Sequence, residues 1–424
     1  MILNFKIFPN SFFRASSFST IFKFFLGFNL LIFNKLAFDV IQNQYLSQVI
    51  FLIHTMPILI SFYTLGMKLS IQRNQLENGK FRVNNISFFI ASIINTSVLC
   101  FPVFSFIFQE FNISNFINFF FFSLSMVSYQ LIISILIGSK KFFLGNFFGG
   151  IQLNGFLFGF SLNLILFFIS LSNLKLDLNT FLMILNALSA IMLLFSLLTL
   201  YFSKIKNKGY IDVKNVFKKG FLIFFKNLSD VASFNLDVIF ARIFIGENIL
   251  YLYTTISSFA RVLLMPRQIF APILIPFIKE AHNKKEVSGF NFLRTIAGYG
   301  TLLSLIMFIF FIYLFESAYL FYNIDIELYN LGFEIFILLS ISSILKVFLG
   351  YAGICLIAIS EENTVFKVVS SSLIIFLVLL NTLPQYFGIL GICLAVLIFD
   401  ILTYTLFAYN LKRKHKINSL AKLF

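Results

Sequence analysis

The sequence predicts an all-α integral membrane protein of about twelve transmembrane helices in two six-helix bundles, with both termini cytoplasmic. Composition carries the class: 59% of the 424 residues are hydrophobic and only 12% are charged, and the mean hydropathy is +0.94. That charged fraction is about half of what a soluble domain carries. A water-soluble globule is excluded, because the apolar surface, with 64 Phe, exceeds what one core can bury. Pattern carries the secondary structure: the apolar runs continue for about twenty residues, whereas a transmembrane barrel alternates over segments of about ten. Only helices and closed barrels satisfy their backbone in lipid, so the spans are helices.

Taken in order, the apolar runs predict spans at 18–38, 46–66, 86–108, 116–138, 147–169, 180–202, 221–245, 249–273, 295–315, 331–357, 366–382 and 388–409. With the N-terminus inside, the inner loops and tails hold 24 Lys and Arg, and the outer connections hold only Lys175. A bias of that size sets the orientation. It also accounts for the net charge of +15 without nucleic acid: Lys204, Lys206, Lys208, Lys214, Lys218 and Lys219, and the tail Lys412-Arg413-Lys414-His415-Lys416, lie where topology needs positive charge. The first apolar run follows Lys6 and Arg14 but is too long for a signal h-region and has no convincing small-x-small cleavage site, so it is expected to be retained as the first helix.

The most polar inner loop, 203–220, separates six spans from six, which predicts an N-terminal lobe at 1–208 and a C-terminal lobe at 209–424. No connection exceeds about 20 residues, so there is no room for a soluble catalytic domain. Pro57, Pro102, Pro266 and Pro272 lie within spans, where a missing backbone donor permits a kink, although proline is ordinary in membrane helices. Gly145, Gly149, Gly155 and Gly159 have small-xxx-small spacing and predict close helix packing. Cys100, Cys355 and Cys393 sit singly in apolar runs and read as small core residues. His54, His282 and His415 are dispersed, with no metal or nucleophile constellation, and His54 reads as a packed, hydrogen-bonded residue.

Ionisable residues inside the spans are costly in lipid and therefore informative. Lys35 (four residues from Asp39), Arg242 and Glu334 lie near span ends, where snorkelling suffices. Lys23, Lys226, Arg261, Arg267 and Lys346, with Asp230, Asp237 and Asp400, lie deeper. On a continuous helix Lys226, Asp230, Ser233 and Asp237 share one face, as do Thr254, Ser257, Arg261 and Gln268 on the next span and Ser16, Ser19, Lys23 and Asn34 on the first. Three polar stripes predict a polar lumen, although Lys226 and Asp230, four apart, can equally neutralise each other. The deep cations exceed the acids by two. Such a surplus favours an anionic substrate such as phosphate or pyrophosphate, which arginine grips through paired hydrogen bonds.

One stretch is more specific. It runs from Phe225-Lys226-Asn227-Leu228-Ser229-Asp230 through Leu236-Asp237-Val238-Ile239 and Arg242-Ile243-Phe244-Ile245-Gly246. It continues with Tyr251-Leu252-Tyr253 and Phe270-Ala271-Pro272-Ile273-Leu274-Ile275-Pro276-Phe277-Ile278. With the two-by-six plan, it resembles the polysaccharide transporters, or O-antigen-type flippases, of the multidrug/oligosaccharidyl-lipid/polysaccharide (MOP) exporter superfamily. Asp237, Gly246, Tyr253 and Pro276 are the matching positions, and the usual Gly-Tyr pair after the seventh helix is spread here by Glu247-Asn248-Ile249-Leu250. The resemblance implies a MOP/MATE-like fold of two rocking bundles. These would pass the headgroup of a polyprenyl-pyrophosphate-linked oligosaccharide across the inner membrane of a bacterium while the lipid tail stays in the bilayer. It implies no cofactor, and coupling to a proton or sodium gradient, for which Asp230, Asp237 and Asp400 are the candidate carboxylates.

The function expected is therefore a lipid-linked oligosaccharide flippase for an O-antigen or capsule repeat unit, with Lys23, Lys226, Arg261, Arg267 and Lys346 facing the substrate. Its partners would be the bilayer, the lipid-linked oligosaccharide and a polysaccharide polymerase, with no nucleic acid. A multidrug exporter of the same fold is disfavoured by the cation surplus. A membrane glycan polymerase is disfavoured by the short loops.

Overall fold

The computed structural model describes residues 29–65, 67, 71, 85–108, 111–138, 141–148, 156–202, 224, 235–245, 247–283, 287–322, 324 and 326–421. These fall into two compact units, one within Phe28–Leu228 and the other within Ser229–Phe424. The lobe boundary expected at 208/209 lies outside the described residues.

The first unit comprises α1 (29–40), α2 (Asn43–Thr64), α3 (Asn85–Ile107), α4 (Ile113–Gly138), the short α5 (Phe142–Phe148), α6 (Phe156–Leu171) and α7 (Leu178–Phe202). The central helix is α4, packed along both α3 and α7. Phenylalanine fills the α3–α4 contact: the buried Phe104 ring lies 4.7 Å from Phe108, 5.4 Å from Phe116 and 5.7 Å from Phe119 between centroids, in tilted and edge-on geometries that suit the aromatic quadrupole. The α1–α2 connection is bonded to the α6–α7 connection, with Leu176 N–H donating to Val40 O at 2.8 Å and Gln42 N–H to Leu176 O at 3.0 Å. Next to it Asp177 caps α7 by accepting Thr180 N–H at 2.9 Å. Hydrogen bonds from Thr180, the side chain first and the backbone second, hold the Asp177 carboxyl below its ordinary value. Pro57 and Pro102 lie inside α2 and α3, which run on without a break. Gly145 supports the expectation of close packing, since a Cβ there would collide with the Ile137 side chain of α4, whereas Gly149 and Gly155 lie outside the described residues.

The second unit comprises α8 (235–244), α9 (Glu247–Val262), α10 (Met265–Asn283), α11 (Val287–Phe321), a 3-10 turn (Ile326–Leu328), α12 (Tyr329–Phe348), the short α13 (Ala352–Ala358), α14 (Glu362–Phe387) and α15 (Ile389–His415). Helices α14 and α15 form a tight hairpin through Gly388, whose φ of 55° and ψ of −134° belong to glycine. A Cβ on Gly391 would strike the Leu383 carbonyl across this hairpin. In the same unit α12 packs against α9 and α15, and α10 packs against α11 and α13.

Eight of the described helices are long and apolar enough to cross a membrane, or nine if one bent pair counts as a single span. The fold is therefore helical among the described residues, and the protein is multi-pass. The expected count of about twelve includes spans at 18–38 and 221–245, each of which lies about half outside the described residues. One expected span needs correcting. The run 249–273 is not one helix: it divides into Ile249–Val262 and Met265–Ala271, bent by 59°. Pro266 explains the break, because it has no N–H to give the Val262 carbonyl. The chain closes α9 with short-range bonds from Leu263 N–H to Ala260 O and Leu264 N–H to Arg261 O, and the Leu263 carbonyl is taken by the Ser304 hydroxyl at 2.8 Å. The single stripe expected to join Thr254, Ser257, Arg261 and Gln268 therefore does not exist beyond Arg261.

Candidate functional site

Four of the polar residues buried in the second unit are charged, Asp237, Arg267, Lys346 and Asp400, and they come from four helices. Asp237 on α8 is 1% exposed and saturated with donors. Its Oδ1 accepts the Val238 N–H at 2.8 Å, its Oδ2 accepts the Tyr253 hydroxyl at 2.6 Å, and the Arg261 guanidinium stands 3.7 Å from Oδ2. Tyr253 and Arg261 both come from α9, so one helix supplies a hydrogen bond and a counter-charge to the same carboxylate. Hydrogen bonds to an ionised acceptor are roughly twice as strong as neutral ones.

The second carboxylate is Asp400 on α15. The Lys346 ammonium, in the last turn of α12, lies 2.8 Å from Asp400 Oδ2, and each side chain is 1% exposed. The Ser342 hydroxyl, one turn before Lys346, donates to the same oxygen. One turn after Asp400, the Tyr404 ring carries the Arg267 guanidinium at 4.3 Å from its centroid, a cation–π contact that ties α10 to α15. The two halves of the cluster are electrostatically joined: Lys346 acts on Asp237 as well as Asp400, and Arg267 acts on Asp400 and on the Tyr351 hydroxyl. Among the described residues the cluster thus sets three cations against two carboxylates.

Of the residues singled out by sequence, Arg261, Arg267, Lys346, Asp237 and Asp400 are brought into this one cluster. Lys23, Lys226 and Asp230 lie outside the described residues, and with them the stripe along the seventh span and the stripe along the first. Lys346 and Arg261 each face a carboxylate rather than standing alone. Of the charges expected at span ends, Lys35 is paired to Asp39 at 3.0 Å, Arg242 is half-buried and Glu334 is exposed. His54 is buried and lies 3.3 Å from Asn34 Oδ1, and the three cysteines are buried and unbridged. Sequence reasoning passed over Ser342, Tyr351 and Tyr404. Two of these carried a signal, since Ser342 precedes Lys346 by four residues and Tyr404 follows Asp400 by four, the spacing that puts side chains on one helix face. No three His, Cys, Asp or Glu side chains among the described residues are arranged to hold a metal ion.

No protein-family model matches the chain, and no curated protein matches its sequence. Solved structures do match. The MATE multidrug transporter DinF-BH, solved with a ligand bound, is similar over 96% of each chain with a TM-score of 0.69 at 15% identity. A multidrug-resistance MATE transporter of the MOP superfamily in an outward-facing conformation is similar over 97% of each chain, with a TM-score of 0.64 at 12% identity. The chain has the MOP-superfamily transporter fold. A third MOP transporter, from Pyrococcus furiosus Vc1, is similar over 97% of each chain with a TM-score of 0.65 at 14% identity, and the reversed polarity of its binding pocket suggests a different function for it. At these identities the likeness is one of fold, so what the MOP fold carries here has to be argued from the charges.

Proposed function

We propose that this protein is a non-enzymatic, alternating-access transporter of the bacterial inner membrane, with both termini cytoplasmic, that flips a polyprenyl-pyrophosphate-linked oligosaccharide, an O-antigen or capsule repeat unit, from the cytoplasmic to the outer face. The observation that carries this reading is the charge balance of the buried cluster: Arg261, Arg267 and Lys346 against Asp237 and Asp400 leave one cation in excess among the described residues. In a low-dielectric interior an excess cation attracts an anion strongly, and arginine and lysine both bind phosphate. Lys23 and Lys226 would add to the same field, and Asp230 would reduce it. The carboxylates of Asp237 and Asp400 are the places where a coupling proton or sodium ion would act. A polymerase would take up the flipped unit.

The test is a deletion strain with and without the gene restored, in which surface glycan and lipid-linked oligosaccharide on the inner side are measured together. Loss of glycan with intact intermediate trapped inside is the expected result. Neutralising Arg261 and Lys346 together is expected to reproduce that loss while the protein remains in the membrane. Normal glycan in that double variant would remove the cluster from the substrate path.

A second reading, export of organic cations, draws on one specific observation: the two MATE structures above are multidrug transporters, and buried carboxylates such as Asp237 and Asp400 are what a drug cation would seek. It predicts drug sensitivity in the deletion strain with glycan unchanged. Flipped but unpolymerised units on the outside would instead point to a polymerase.

A further inference from the structure

The Lys346–Asp400 pair is bonded on one side only. Asp400 Oδ2 takes both the Lys346 ammonium and the Ser342 hydroxyl, whereas Oδ1, fully enclosed, has no hydrogen-bond partner. One turn along α15 the Thr403 hydroxyl is enclosed and unpartnered, and so is the Tyr351 hydroxyl at the turn between α12 and α13. Nearly all buried polar atoms in folded proteins are bonded, and one that is not calls for an explanation. Asp400 and Tyr351 belong to one charged neighbourhood, since Arg267 acts on both, and Thr403 lies three residues from Asp400 on α15. A pair that served only to join α12 to α15 would have no use for a buried carboxylate oxygen that accepts no hydrogen bond.

We infer that Asp400 is a resident counter-ion: it holds Lys346, under the field of Arg267, while no substrate is bound, yields both cations to the phosphate of an incoming substrate, and takes a proton on Oδ1 as it does so. The inference rests on the anionic-substrate reading above. A phosphate carries more charge than a carboxylate and offers more acceptor oxygens, so it competes effectively for an ammonium and a guanidinium. Once Lys346 has turned to the phosphate, Asp400 is a buried carboxylate without its counter-charge, a state that proteins avoid by protonation. The balance is simple. One O–H bond forms at Asp400 Oδ1 with a proton taken from water, Lys346 remains an ammonium, and nothing is oxidised or reduced. The Tyr351 hydroxyl is then a donor for a phosphate oxygen. Each loading event binds a proton together with an anion, so that substrate affinity depends on pH through one side chain.

The groups around Asp400 permit this. Lys346 comes from α12, Arg267 from α10 and Tyr404 from α15 itself, and Tyr351 stands at the α12–α13 turn under the same Arg267. Asp237 competes for the Lys346 charge, and Cys393 of α15 lies within its field. Other charged side chains on the packed helices, among them Glu334 of α12, Glu362 and Lys367 of α14 and Lys412, Arg413 and Lys414 at the end of α15, are exposed or half-buried at the surface.

The experiment uses the full chain in lipid nanodiscs, with farnesyl pyrophosphate as the probe and calorimetry at one pH in two buffers of different ionisation enthalpy. The native protein is expected to take up about one proton more per bound probe than Asp400→Asn, which has no carboxylate to protonate. Asp400→Asn, freed of the competitor, is expected to bind about tenfold more tightly. Should Asp400→Asn fail to fold because Lys346 is left alone, Lys346→Met with Asp400→Asn keeps the interior neutral. That double variant is expected to bind the probe at least about tenfold more weakly than the native protein and to take up no extra proton. Equal proton uptake and equal affinity in the native protein and in whichever variant folds would make Asp400 a fixed structural partner and overturn the inference. Absence of farnesyl pyrophosphate binding throughout, with tetraphenylphosphonium bound instead, would overturn the anionic-substrate reading and this inference with it.

Discussion

Among the described residues, the unit within Phe28–Leu228 buries no Asp, Glu, Lys or Arg side chain, whereas the unit within Ser229–Phe424 buries Asp237, Arg267, Lys346 and Asp400 among its hydroxyls and amides. The first unit joins helices by amides and hydroxyls: Asn163 of α6 donates to the Asn29 carbonyl of α1 at 2.9 Å, Asn118 of α4 and Asn179 of α7 bond at 3.2 Å, and the Tyr129 hydroxyl donates to Phe148 O at 2.8 Å. The second unit adds ions to bonds of this kind, Asp237 with Arg261 and Lys346 with Asp400. An amide network stabilises a bundle of membrane helices with little risk, because losing one bond leaves no charge behind. A buried ion pair contributes weakly to stability compared with an apolar replacement, yet is expensive to break, so its presence points to a use other than holding helices together.

That contrast can be broken most directly at Lys346. Lys346→Met should destabilise the second unit by about 3–5 kcal/mol, because Asp400 loses its counter-charge and must stay ionised alone or take up a proton at a cost, and adding Asp400→Asn should recover most of the loss. Thermal unfolding in detergent measures both, and a single variant no less stable than the double one would show that the pair is not closed as drawn. In the first unit, Asn163→Ala should cost only about 1 kcal/mol, the net worth of an ordinary hydrogen bond. A loss as large as that of Lys346→Met in the same unfolding assay would erase the distinction between the units.

The smallest effect belongs to a charged pair at the surface of the second unit. Glu361 accepts from Lys414 at 2.8 Å and from Thr364 at 2.5 Å, and these bonds, the Lys414 one first, pull its carboxyl from 4.5 down to about 2. A depressed carboxyl stabilises the fold above its unfolded value, so the contribution is complete above pH 4.5 and is lost as the pH falls toward 2. With Glu361 27% and Lys414 45% exposed, solvent screens the pair, and Glu361→Gln should cost less than about 1 kcal/mol at neutral pH. Comparing its unfolding temperature with that of the native protein at neutral and at acid pH checks the sign: the gap should close on acidification, and a gap that widens would refute the assignment.

Local sequence was enough to reveal the deep charges, because a charged residue in an apolar run is conspicuous wherever the run folds. It also showed the Lys35–Asp39 pair, whose members are one helical turn apart. It could not show that a span ends at Leu263–Leu264, since a proline inside an apolar run reads the same whether the helix bends or stops. Nor could it separate Arg261 from Arg267, which a continuous helix would keep on one axis and the break assigns to different helices with different partners.

The amino-acid sequence by itself determined that this chain forms apolar helices and which few of their residues carry charge, because hydropathy and charge are sums over neighbours in the chain. Only the tertiary structure decided that Asp237 meets Arg261 and Tyr253, and that Lys346 meets Asp400 across 54 positions. The reason is physical. An ion pair forms where two helix faces come within a few ångströms, and which faces meet is fixed by packing along whole helices, including the bend at Pro266 and the close α14–α15 approach at Gly391.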